Sequence, residues 1–172
     1  GDPFIFGRGG EEAEFLASKN IKYEIVPGVS SLNGAAIYAG IPLTHRDYSS
    51  SVVILTGHDS ADKKNSSTRW NAVTKAADTI VFFMGLEQLG HITKKLISSG
   101  LNKKTKIAII ENATSIKQRV ITGNLDNIEK KVKQKKVQTP SIIIVGKVVG
   151  IQKKIKWFNL NHQTSKSINH LE

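Results

Sequence analysis

The chain has 172 residues, 39% of them hydrophobic, with a formal charge of +11 and a pI near 9.9. It is long enough to bury a real core in one medium domain or two small ones, and with no cysteine it excludes disulfides and thiolate metal sites. No apolar run approaches the ~18 residues of a membrane span, and no basic-then-apolar leader opens the chain.

The first stretch, Gly1-Asp2-Pro3-Phe4-Ile5-Phe6-Gly7-Arg8-Gly9-Gly10, reads as a tight turn, an apolar triplet and a glycine-rich loop. Glycines 7, 9 and 10 are expected to take φ > 0 and to let the backbone approach a ligand. A helix follows over Glu11–Asn20, with Ala13, Leu16 and Ala17 at i, i+3 and i+4. Glu11, Glu12 and Glu14 at its start would repel a phosphate, and no Lys-Ser/Thr ending follows, so the loop is not a P-loop. Ile21, Tyr23 and Ile25 alternate with Lys22 and Glu24, which predicts a strand over Ile21–Val26. Pro27-Gly28-Val29-Ser30-Ser31 then turns into a second helix with Leu32, Ala35, Ala36 and Ala39 on one stripe. Tyr38 is expected to pack on the sheet, and Gly40 and Pro42 end the helix.

Asp47 to Ser51 is serine-rich and reads as a link to a second unit. Val52–Leu55 is predicted as a buried strand, Asp59–Arg69 as a mobile loop, and Trp70–Ala76 as a short helix. Thr79–Met84 is the next strand, followed by a helix over Leu86–Ile97 with Leu89, Ile92, Thr93 and Leu96 inward. Lys106–Ile110 and Gln118–Ile121 read as strands, Leu125, Ile128 and Val132 mark a helix, and Ser141–Val149 is a last apolar strand. Of the 25 cationic residues only Arg8, Arg46, Arg69 and Arg119 are arginines, and the other 21 are lysines, many in runs such as Lys130 to Lys136. No aromatic residues interleave with those runs as a base-stacking surface requires, so no nucleic-acid partner is expected. The five histidines show no HxxxH spacing, and no metal is expected. Gly150 to Glu172 is a polar, basic tail with one apolar pair, Trp157-Phe158, and its last residues are expected to be disordered. Strands alternating with helices predict an α/β fold with parallel strands.

Gly1 to Glu12 resembles the GGDPFIFGRGGEE motif of the uroporphyrinogen-III C-methyltransferases, within the tetrapyrrole methylase family. Later stretches agree in the family's order: Pro27 to Arg46, Thr56-Gly57-His58, Thr79 to Leu86, Gln118-Arg119-Val120 with Gly123 and Leu125, and the apolar ending at Val145-Gly146. The resemblance covers roughly Gly1 to Gly150. It implies two α/β domains with the active site in the cleft between them, here 1–48 as the end of a first domain and 49–150 as the second, with 151–172 as tail. The family's beginning is absent from this sequence, and the fragment by itself is expected to be inactive.

The resemblance implies a cytoplasmic, homodimeric enzyme. It would move methyl groups twice from S-adenosyl-L-methionine to uroporphyrinogen III, giving precorrin-2 for siroheme or cobalamin. Carried over by motif, Gly1, Asp2, Ile5, Ser30, Ser31, Met84 and Ala113 would contact the donor. Arg8, Glu11 and Arg46 would face the tetrapyrrole, whose carboxylates suit arginine forks better than lysine point charges. Arg8 is the catalytic candidate for assisting proton removal, although a guanidinium is a poor base, and no general base is assigned. The rival readings are another tetrapyrrole methyltransferase and a non-catalytic basic remnant of the fold.

Overall fold

Five runs rich in β-branched residues pair into one sheet of strand order β1-β2-β5-β3-β4. The strands are β1 (Val52–Thr56), β2 (Thr79–Phe83), β3 (Lys106–Glu111), β4 (Arg119–Asn124) and β5 (Ser141–Gly146). The helices are α1 (Gly9–Ser18), α2 (Ser31–Ala39), α3 (Trp70–Ala76), α4 (Leu89–Ser98), α5 (Ile128–Gln134) and α6 (Gln152–Ile155), the last preceded by a 3-10 turn over Lys147–Ile151. This computed structural model describes residues 1–57 and 68–158. His58 and most of the loop expected over Asp59–Arg69 lie outside the described residues, as does the tail beyond Phe158.

The sheet is mixed rather than parallel. β1 and β2 run parallel, whereas β5 runs against both β2 and β3, and β4 runs against β3. Each helical crossover still joins strands of like direction: α3 between β1 and β2, α4 between β2 and β3, α5 between β4 and β5. The reversal comes from the short Asn112–Gln118 connection, which is too short for a crossover and makes β3 and β4 a hairpin.

Alternation along the three inner strands sends side chains to two cores. Ile80, Phe82, Ile107, Ile109, Ile143 and Val145 face α3, α4 and α5 and meet Trp70, Leu89, Ile92, Leu96, Ile128 and Val132. Val81, Ala108, Ile110, Ile142 and Ile144 face the other way and are covered by α2 through Ala35, Ala36 and Ala39, with Ile41, Val148 and Val149 closing the layer. The alanine stripe of α2, opposite Ala108, lets helix and sheet approach closely. β1 is an edge strand and half-buried throughout, not the buried strand its composition predicts.

The stretch expected as a strand over Ile21–Val26 is exposed along its whole length and forms no ladder. Its alternation is real, but a strand also needs a neighbour's backbone to pair with, and among the described residues none pairs with it. β5 stops at Gly146 instead of running to Val149. Gly146 has φ 147°, and a Cβ there would lie 2.6 Å from the Asp78 carbonyl oxygen, so the chain leaves the ladder and turns. The serine-rich stretch before β1 is pinned. Ser49 Oγ donates to the Leu43 carbonyl at 2.9 Å, and Ser50 N–H and Oγ reach the Asp78 carboxylate at 2.8 and 2.9 Å. Tyr38 packs against the tail and not the sheet: its ring lies 5.1 Å from Trp157 and 4.8 Å from Phe158.

Candidate functional site

The glycine-rich loop folds back on its own start. Gly9 N–H donates to the Pro3 carbonyl at 2.9 Å, and a Cβ on Gly7 would lie 2.7 Å from the Asp2 carbonyl oxygen. These glycines are therefore required by close approach, whereas the left-handed positions are Phe6 (φ 53°) and Arg8 (φ 61°). The Asp2 carboxylate accepts from Phe4 N–H at 2.9 Å and from Gly28 N–H at 3.1 Å, tying the loop to the turn that enters α2. Those N–H groups, Gly28 foremost, hold its carboxyl below the usual range. The Phe6 ring lies tilted against that of Phe83, the last residue of β2, with 5.1 Å between centroids.

Two adjoining cavities open at this end of the sheet. One, of about 330 Å³, is lined from α2 by Ser31 and Ala35, from the loop after β3 by Asn112, Ala113 and Ser115, and from β5 by Ser141 and Ile142. The other, of about 350 Å³, is lined by Ser31, Phe83, Met84, Leu86, Glu87 and the Thr139–Ser141 segment. Both share Ser31, Pro140 and Ser141, and each is large enough for a small ligand. In a chain of charge +11, neither lining contains a lysine or an arginine, and the single charged group is Glu87. Such walls suit a cation with an apolar body and disfavour a polycarboxylate.

The residues expected to bind the donor divide accordingly. Ser31, Met84 and Ala113, from three separate stretches, come together around the cavities. Met84 (φ 50°) is half exposed, and Asn112 (φ 46°) and Thr114 (φ 67°) flank Ala113, so strained backbone gathers at the site. Ser30 is buried and its Oγ accepts from Leu32 N–H at 3.2 Å as the cap of α2, which leaves its side chain occupied. Gly1, Asp2 and Ile5 are not among the lining residues of either cavity. Arg8 and Glu11 pair with each other at 3.5 Å on the exposed surface, and Arg46 stands exposed on the turn after α2. Arg119, the other motif arginine, is engaged by the buried Glu111 and by the Lys135 carbonyl at the end of α5.

Sequence reasoning missed Asn112, Glu87 and the Thr139–Ser141 segment as walls. A turn proline before an apolar strand was the available signal for the last, but only pairing of β5 between β2 and β3 brings it to the site.

Fold and cavities together define an α/β sandwich protein whose candidate ligand site lies at one end of its mixed sheet. Residues 1–129 match the tetrapyrrole (corrin/porphyrin) methylases, and the chain belongs to that family. It is 48% identical over 158 residues to a siroheme synthase of Pseudoalteromonas atlantica, covering 92% of this chain and 34% of that protein. The chain thus spans about a third of the length of the curated relatives it matches. Among solved structures, the uroporphyrin-III C-methyltransferase of Thermus thermophilus superposes with a TM-score of 0.76 at 34% identity, over 90% of this chain and 64% of that one. A structure of the Thermus thermophilus enzyme complexed with S-adenyl homocysteine gives a TM-score of 0.70 at 30% identity, over 88% and 64%.

Proposed function

We propose that the protein carrying this chain transfers methyl groups from S-adenosylmethionine to carbons of uroporphyrinogen III, twice, giving precorrin-2 for siroheme synthesis. The observation that carries this reading is the pair of adjoining cavities without a cationic wall, at which Ser31, Met84 and Ala113 meet. When bound there, the donor supplies a methyl group already activated on a sulfonium. The residues of this chain then have to orient it and exclude water, which is where most of the acceleration of such a transfer originates. Ala35, Ala113, Ile110 and Ile142 offer the apolar slot for a nucleoside, and Glu87 is the nearest compensating charge for the donor's positive groups. Arg8 and Arg46, exposed and outside the cavity walls, are the motif arginines left to grip acceptor carboxylates, with Glu11 paired to Arg8 beside them.

Saturable binding of S-adenosylhomocysteine by calorimetry, followed by methyl transfer to uroporphyrinogen III read by mass as two added methyl groups, tests the reading. Lysine runs offer nothing specific to an adenosine, so absence of saturable binding would favour a basic, non-catalytic remnant of the fold. A single added methyl, or activity only on a later, already methylated tetrapyrrole, would assign another methylase of the family.

A further inference from the structure

The Gln118 side chain makes two hydrogen bonds that join separate walls of the site. Its Oε1 accepts from Thr114 N–H at 2.7 Å, and its Nε2 donates to the Tyr38 carbonyl at 3.0 Å, in the last turn of α2. The loop it grips contains Ala113, between the left-handed residues Asn112 and Thr114. The helix it grips begins at Ser31, so both partners contribute a wall to the same cavity. Loop and helix also lie close together: a Cβ on Gly34 of α2 would meet Thr114 Cγ2 at 3.4 Å, an ordinary van der Waals distance. At its other end the loop is fastened by Asn112 N–H to the Pro140 carbonyl at 3.0 Å, and Ser115 Oγ donates to the Asn112 carbonyl at 2.8 Å. Only the carboxamide of Gln118 ties the loop to α2 by hydrogen bonds, among the described residues.

We propose that Gln118 is a positioning residue for the methyl donor, its carboxamide clamping the Ala113 loop to helix α2 so that the cavity between them keeps its width; this rests on the donor-site reading above. Two strained backbone positions hold their geometry only where the surroundings over-determine them. A side-chain amide is suited to this task because it offers an acceptor and a donor in one plane. Gln118 touches neither cavity wall on the ligand side, so it acts through Thr114 and Tyr38.

The test compares the intact protein with Gln118→Ala and Gln118→Glu, using S-adenosylhomocysteine in calorimetry, steady-state kinetics and thermal unfolding. Gln118→Ala loses both bonds and is expected to bind the product about three- to ten-fold more weakly. Its KM for the donor should rise by the same factor, with kcat at saturating donor little changed. Gln118→Glu keeps the acceptor for Thr114 N–H but has no proton to donate to the Tyr38 carbonyl, and is expected to fall between. Should the alanine variant fail to fold, the glutamate variant, equal in volume, carries the same criterion. If the unsubstituted protein does not bind S-adenosylhomocysteine, the donor-site reading fails and the inference falls with it. If it binds and the variants match it, or if activity falls only in proportion to the folded fraction, the inference alone is overturned.

Discussion

At a few glycines the backbone leaves no space for a side chain. At Gly57 an added Cβ would lie 2.3 Å from Gly85 Cα, because the chain leaves β1 directly beside the turn that follows β2, and Gly57 N–H donates to the Phe83 carbonyl at 2.7 Å. Gly57→Ala is therefore expected to push β1 off the turn carrying Met84, lowering both the unfolding midpoint and the affinity for S-adenosylhomocysteine; an unchanged midpoint in urea would contradict this. Met84 is the more selective probe, since its side chain is half exposed at the cavity wall and supports no core cluster. Met84→Lys places a cation against a cationic donor and is expected to weaken binding ten-fold or more while leaving thermal stability near that of the unsubstituted protein. Equal affinity in calorimetry would remove Met84 from the site. Arg46→Ala should do the opposite, sparing the donor and weakening the tetrapyrrole by about ten-fold, the worth of a charge-assisted hydrogen bond.

At the scale of elements, α2 and the ends of the central strands do most to shape the site. α2 has an N-cap in Ser30, a left-handed C-cap in Gly40 (φ 66°) and a carbonyl in its last turn bonded by Trp157 Nε1–H at 2.9 Å. The ends of β3 and β4 are joined by the Glu111–Arg119 ion pair, and Glu111 also accepts from Gln138 N–H at 2.8 Å. That network fixes the approach to Pro140 and Ser141, which line both cavities. Glu111 is buried while Arg119 is half exposed, so water can solvate the arginine but not the carboxylate when the partner is lost. Glu111→Ala loses both the pair with Arg119 and the bond from Gln138 N–H and is expected to cost about 2 kcal/mol, seen as a lower denaturation midpoint with unchanged slope. Arg119→Ala leaves the buried Glu111 carboxylate without its counter-charge and is also expected to lower the midpoint.

For the whole molecule, charge makes stability asymmetric in pH. Asp2, Asp78 and Glu111 are all held below their ordinary carboxylate range, by the Gly28 N–H, the Ser50 N–H and the Arg119 guanidinium respectively. A carboxyl depressed in the folded state binds its proton more readily when unfolded, so its contribution is full above the unfolded value near pH 4 and is lost as pH falls through the folded one. Stability is therefore expected to be flat from about pH 5 to neutrality and to drop below about pH 4. Glu111→Gln should flatten that acid limb, and an acid limb of the same steepness in the variant would show that Glu111 does not cause it.

Local pattern alone was enough for most elements. The β-branched runs at Val52, Thr79, Lys106 and Ser141, and the 3.6-residue stripes of α2 and α4, are where the residues predict them, because each depends on the period of its own side chains. The motifs likewise named Ser31, Met84 and Ala113 without showing that they meet. What pattern could not decide is anything that needs a partner. Ile21–Val26 alternates like a strand and pairs with nothing among the described residues; β5 looks like one more parallel strand and is antiparallel to both neighbours. Direction follows from the length of the β3–β4 connection, and the strand order follows from how both faces of β5 are buried. Gln118 was visible only as the start of a strand motif. Its bond to Tyr38 crosses 80 residues of chain, and no local spacing encodes which carbonyl a side chain will reach once the sheet and α2 have packed.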